Sequence, residues 1–149
     1  MDNCFLLYHV IMTRDISDIL KTNGFKITST RLAILKVFSS DCKPINAEYI
    51  HSKLKKEKVN IVTIYRTLIS FENAGMIKRV DMQKDSVYYE LAGHHHHHII
   101  CTDCGMVESF DGCDLDNLSK EVLKSSNNFS LINKHSLELF GLCKKCCKN

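Results

Sequence analysis

Two C-x-x-C pairs, Cys101 with Cys104 and Cys143 with Cys146, constrain this chain more than any other feature. Each pair can curl around one ion on a tight turn. Together they supply four thiolates to a tetrahedral Zn²⁺ and leave no open coordination position, which makes such a site structural. The 38 residues between the pairs exceed the usual zinc-ribbon spacing, so the fold of that stretch must bring its two ends back together. Cys147 can stand in for Cys146, whereas Cys4, Cys42 and Cys113 are scattered and read as ordinary cysteines. Eight cysteines would suggest disulfides in a secreted protein. Here the apolar stretch Cys4 to Ile11 has neither a basic leader nor a small-residue cleavage site. A reducing, cytoplasmic location is therefore expected, where clustered cysteines bind metal.

The histidines are as uneven as the cysteines: five of the eight run consecutively from His94 to His98. On a β-strand alternate residues face opposite sides, so His94, His96 and His98 share one face and His95 and His97 the other. One strand can thus feed two metal sites, with Glu90, Glu108, Asp116 and His135 as further ligands within reach. Imidazole with carboxylate suits Fe²⁺, Mn²⁺, Zn²⁺ or Ni²⁺.

Charge separates the halves. Residues 1–93 carry 14 basic and 10 acidic side chains, residues 94–149 carry 6 and 7, and nine basic residues lie between Lys26 and Arg66 against three acidic ones. The basic half has the electrostatic footprint of a nucleic-acid binder. With 149 residues, 44% hydrophobic and 25% charged, the chain is of globular type and long enough for one ordinary domain or two small ones. It has no run of 18 apolar residues with which to cross a membrane.

Residues 1–11 read as an extension. A first helix carries Ile16, Ile19 and Leu20 and closes at Gly24, a second is capped by Thr28, and a third is capped by Asn46 after Pro44. A fourth, Val62 to Asn73, buries Ile64, Leu68 and Phe71 at i, i+4 and i+7 and turns Thr63, Tyr65, Arg66 and Ser70 elsewhere. Two strand-like runs follow, Met76 to Met82 and Ser86 to Leu91. Helices and then a β-hairpin are the order of a winged helix-turn-helix, whose second helix enters the major groove. The expected class is α+β, with a winged-helix DNA-binding domain over 12–92 and a small α/β domain over 93–149. In the latter, His96 to Thr102 and Met106 to Phe110 read as strands, Leu115 to Leu123 as an amphipathic helix, and Phe129 to Leu142 as strand-like alternation. About 55 residues bury too little core to be stable alone, so metal or dimerisation must support that domain.

Thr63-Ile64-Tyr65-Arg66-Thr67-Leu68, then Ala74-Gly75-Met76-Ile77, then His94 to Cys104 running into Gly105, with the second cysteine pair after His135, resemble the ferric uptake regulator (Fur) family of metal-dependent transcription regulators. The resemblance spans about Met12 to Cys146. It implies a homodimeric repressor of metal-uptake genes, not an enzyme, whose binding to double-stranded, A·T-rich inverted repeats is favoured by a divalent metal, most of all Fe²⁺. By the same resemblance Tyr65 and Arg66, with Thr63 beside them, contact bases and phosphates, and Lys26 reaches toward the minor groove. Cys101, Cys104, Cys143 and Cys146 become the structural zinc ligands. Glu90, His96 and His98 become ligands of the regulatory metal, and His95, His97, Asp116 and His135 those of a second metal.

Two positions depart from the family pattern. Pro44 stands where a histidine ligand is common, with Cys42 nearby, and Ser109 replaces the carboxylate before Phe110. Glu108, one residue earlier, would need a bulge to reach the regulatory ion, because one residue along a strand reverses the face. Within the family a zinc, manganese, nickel or peroxide sensor is the alternative, although the peroxide branch carries aspartate where Glu90 stands. A zinc enzyme or a C-x-x-C oxidoreductase would leave the basic helical half unexplained.

Overall fold

The structure, a computed structural model, describes residues 15–41, 43–93 and 95–148, and of residues 115 and 116 only the backbone. The expected extension 1–11, Cys4, Cys42 and His94 lie outside the described residues, as does the side chain of Asp116. The chain is α+β and divides into two compact units, residues 1–94 and residues 95–149.

In the first unit each helix starts where a side chain can satisfy the free amides of its first turn. Helix α1 (Ile16–Thr22) is capped by Asp15, which accepts from the Ser17 amide at 3.0 Å. Thr28 caps α2 (Ser29–Ser40), Asn46 caps α3 (Ala47–Lys53), and Asn60 caps α4 (Ile61–Asn73) by accepting from the Val62 amide at 2.8 Å. Each such cap stabilises its helix by about 1 kcal/mol. Two of the helices end the same way. Gly24 and Gly75 adopt φ +77° and +70°, and the next amides, of Phe25 and Met76, bond back to the carbonyls of Leu20 and Phe71 at 2.9 Å. Only glycine takes that left-handed position without strain.

The apolar faces meet in one core. Leu20, Ile34, Ile50, Ile64, Leu68 and Phe71 are fully buried there, and Phe25 stands edge-on to Phe71 at 5.2 Å. The hairpin strands β2 (Ile77–Val80) and β3 (Tyr88–Leu91) are antiparallel, and β1 (Ile45–Asn46) adds to the other side of β3, giving the order β1-β3-β2. Both long strands are shorter than their alternation suggests. Asp81 accepts the Gln83 amide at 2.8 Å, an Asx-turn that takes the chain out of β2. Lys78 faces Glu90 across the hairpin, and Glu72 on α4 pairs with Arg79 at 2.7 Å.

The second unit is a three-stranded sheet with one helix. Strands β4 (His97–Cys101) and β5 (Val107–Phe110) form a hairpin whose turn places Gly105 at φ +71°, its amide bonding to the Cys101 carbonyl at 3.0 Å. Helix α5 (Leu115–Ser125) then leads to β6 (Glu138–Gly141), which lies parallel to β4 on its other edge, in the order β5-β4-β6. The alternation expected from Phe129 pairs only over those four residues, the ones that reach the open edge of β4. Phe129 and Leu131 are instead exposed. Among the described residues, Ile100 and Cys101 are the only buried hydrophobic side chains of this unit.

Candidate metal centres and nucleic-acid interface

Register closes the gap between the cysteine pairs. Parallel pairing of β4 with β6 sets Gly141 against Cys101, so Cys143, two residues on, arrives beside the β4–β5 turn. The four sulfurs of Cys101, Cys104, Cys143 and Cys146 lie within 4.8 Å of one another, and Cys104 Sγ is 3.7 Å from Cys143 Sγ. A tetrahedral zinc with Zn–S bonds of about 2.3 Å requires sulfur–sulfur edges of about 3.8 Å, so the tetrad fits that ion. Backbone amides are arranged around it as well. The Cys143 amide donates to Cys101 Sγ at 3.3 Å, and together with the Cys104 amide it draws the Cys101 thiol down to about 6. Cys146 is pushed the other way by its hydrogen bonds to Asp103 and Cys143. Cys147 does not belong to the group, since its amide bonds to the Cys143 carbonyl in the turn that follows.

The histidines separate into two sets, as strand alternation requires, even though His95 and His96 precede β4 itself. The His96 and His98 rings are 4.9 Å apart, and those of His95 and His97 are 4.6 Å apart. His135, from the stretch before β6, joins the second set, with His95 Nε2 and His135 Nε2 separated by 3.2 Å. The member that sequence reasoning missed is Cys113. Its sulfur lies 2.8 Å from His97 Nε2 and 3.3 Å from His95 Nε2, so it is not the ordinary cysteine expected of it. No C-x-x-C spacing marks it; the signal available was its place three residues before Asp116, within one helical turn of an expected ligand. On its far side the His97 ring sets Nδ1 3.0 Å from the Leu137 carbonyl. An Nδ1–H donated there leaves the Nε2 lone pair aimed at the cluster, the usual orienting contact of a metal-bound histidine.

Glu108 requires a correction. The β4–β5 register pairs His98 with Ser109 and Ile99 with Glu108, with no bulge between. Glu108 therefore stands on the face opposite His98, exposed, and is not a partner of His96 and His98. Glu90 belongs to the first unit, buried on β3 and ion-paired with Lys78 at 2.9 Å.

On the first unit, Thr63, Tyr65 and Arg66 lie on the exposed side of α4, opposite Ile64, Leu68 and Phe71. The Tyr65 hydroxyl donates to the Glu48 carboxylate on α3, and this bond raises the phenol above its ordinary value. Ser70 turns its hydroxyl back to the Arg66 carbonyl at 2.8 Å, leaving the Arg66 guanidinium outward. Lys26, exposed between α1 and α2, has its carbonyl held by the Arg31 guanidinium at 2.8 Å, while Arg31 itself lies over the Phe25 ring. The Lys26 position is thereby fixed and its ammonium left in solvent.

A helical unit with a β-hairpin wing and a polar helix face that carries Arg66, followed by a unit that gathers thiolates and imidazoles, defines a metal-binding winged-helix regulator. The sequence pattern of the Ferric uptake regulator family matches residues 22–140, and the chain belongs to that family of metal-responsive transcription regulators. The ferric uptake regulation protein of Bordetella parapertussis is 38% identical over 133 residues, covering 87% of this chain and 94% of that one. Among solved structures, the ferric uptake regulator of Francisella tularensis, determined with iron, is 38% identical with a TM-score of 0.72, over 83% of this chain and 96% of that one. The Helicobacter pylori regulator, described as having three functional metal binding sites, is 30% identical with a TM-score of 0.73, over 95% of each chain. Family members bind DNA and are dimeric. Among the described residues no helix is long and apolar enough to cross a membrane.

Proposed function

We propose that this chain is an iron-responsive repressor of metal-uptake genes that acts in the cytoplasm as a homodimer on A·T-rich inverted repeats. The observation that carries the reading is the pairing of an outward Thr63-Tyr65-Arg66 face on α4 with a thiolate tetrad and two histidine sets in the following unit. Residues 12–92 are the DNA-binding part and residues 93–149 the dimerising part. Arg66, Tyr65 and Thr63 meet the major groove, and Lys26 meets the minor groove. Cys101, Cys104, Cys143 and Cys146 hold structural zinc, which supplies stability and no chemistry.

Ferrous iron as the sensed ion is supported by relatives called ferric uptake regulation proteins at 34–38% identity. The resemblance assigns it to Glu90, His96 and His98, an imidazole and carboxylate set of the kind Fe²⁺ accepts. The dimer is supported by apolar side chains left on the second unit's surface. Leu118 and Val122 on α5 are 51% and 48% exposed, and Phe129 is 72% exposed. A unit with so small a core does not leave such side chains in water without a partner. Binding follows as a shift in population: a coupling of about 1–3 kcal/mol between ion and DNA changes DNA affinity by about 5–150-fold.

Footprinting with the ferrous protein tests the reading. Protection of two half-sites on one face of an A·T-rich palindrome, at concentrations that leave a scrambled duplex free, is the expected result. Equal protection of both duplexes would remove the repressor reading.

A further inference from the structure

The second histidine set carries more than its resemblance to the family implies. Three separate stretches of chain converge on it: the lead into β4 with His95 and His97, the loop between β5 and α5 with Cys113, and the segment before β6 with His135. Their four ligand atoms, three imidazole nitrogens and one sulfur, lie within 4.8 Å of one another. The separations of 3.2 Å between His95 and His135 and 3.3 Å between His95 and Cys113 are within a few tenths of an ångström of the edges of a tetrahedron around zinc, and the 2.8 Å between His97 and Cys113 is shorter than such an edge. Those edges are about 3.4 Å between nitrogens and slightly longer to sulfur. His97 is buried while His95 and His135 are exposed, so the cluster is anchored on one side and open to exchange on the other.

We propose that His95, His97, Cys113 and His135 form a second tetrahedral zinc site, with Cys113 as the fourth ligand beside the three histidines. The chemistry of the donor set then decides the ion. Carboxylate and imidazole accept Mn²⁺ and Fe²⁺ readily; a thiolate with three imidazoles in a tetrahedron favours Zn²⁺ and its spectroscopic substitute Co²⁺. The proposal rests on reading the chain as a metal-binding regulator and changes what that regulator holds here. The second site becomes a zinc site, and iron sensing falls to the set containing His96 and His98.

The test uses the full-length protein with zinc retained in the cysteine tetrad, titrated with Co²⁺ and followed by absorption spectroscopy. Among the ions taken up, one per chain is expected to show the intense visible bands of tetrahedral cobalt and a sulfur-to-cobalt charge-transfer band. Cys113→Asp should abolish the charge-transfer band and weaken the site for Zn²⁺ by at least about tenfold relative to Mn²⁺. In the unsubstituted protein, Zn²⁺ should slow alkylation of Cys113 at least tenfold, a readout that does not depend on any variant folding. Weak octahedral bands alone, a Cys113→Asp spectrum identical to wild type, or unslowed alkylation would each overturn the assignment and leave the regulator reading standing. A thiolate–cobalt spectrum in a protein whose DNA binding ignores every metal would uphold the site and sink the regulator reading instead.

Discussion

Replacing Cys143 by serine should unfold the second unit and spare the first. Among the described residues of the second unit, the buried hydrophobic side chains are Ile100, 2% exposed, and Cys101, 5% exposed. A fully buried isoleucine contributes about 1.5–3 kcal/mol. So small an apolar core does not hold a unit of this size together by itself. Structural zinc in zinc-finger peptides contributes about 10–16 kcal/mol of folding free energy at neutral pH, and an ion held by the proposed tetrad would tie β6 to the β4–β5 turn through Cys143. The first unit has a core of its own around Phe71 and Leu68 and does not share this dependence. Amide hydrogen exchange resolved by residue is the assay. In Cys143→Ser, β4, β5 and β6 should exchange freely while α4 remains protected. Wild-type protection of β4 in zinc-free Cys143→Ser would refute the argument that metal supplies the missing core.

Three more expectations follow from particular side chains. Arg66→Ala should weaken binding to every duplex and lower the slope of log affinity against log salt by about 1, read by fluorescence anisotropy at several ionic strengths; an unchanged slope would place Arg66 off the phosphates. Phe71→Ala, which empties the centre of the first unit's core, should cost about 3–5 kcal/mol in denaturant unfolding, and a loss below 1 kcal/mol would show that the core collapses around the gap. Leu118→Glu with Val122→Glu should convert dimer to monomer in analytical ultracentrifugation, since both side chains lie exposed on one face of α5; an intact dimer would move the interface elsewhere.

Much of this architecture was legible because its determinants are local. The caps at Thr28 and Asn46, the glycines that close α1 and α4, and the i, i+4, i+7 stripe of α4 all act within a few residues of themselves. The reversal of Glu108 was also implicit, since a strand's period of two leaves it no other face without a bulge. What escaped depends on distant contacts. Strand β1 is two residues long and exists because β3 offers it an edge. Cys113 looked unremarkable because its partners are 16 to 22 positions away, brought to it by the β4–β5 register and by the return of the chain to β6. Strand alternation from Phe129 onward could not show which residues would find an edge to pair with.

The account turns on whether ions held by the second unit control how the first unit holds DNA. The most direct measurement is the affinity of the full-length protein for an A·T-rich palindrome before and after chelation that strips exchangeable metal but leaves the zinc assigned to the cysteine tetrad, with metal counted by elemental analysis. Affinity should fall by about 5–150-fold and return when Fe²⁺ is added back. Equal affinity in the two states, with the cysteine site still loaded, would contradict the account.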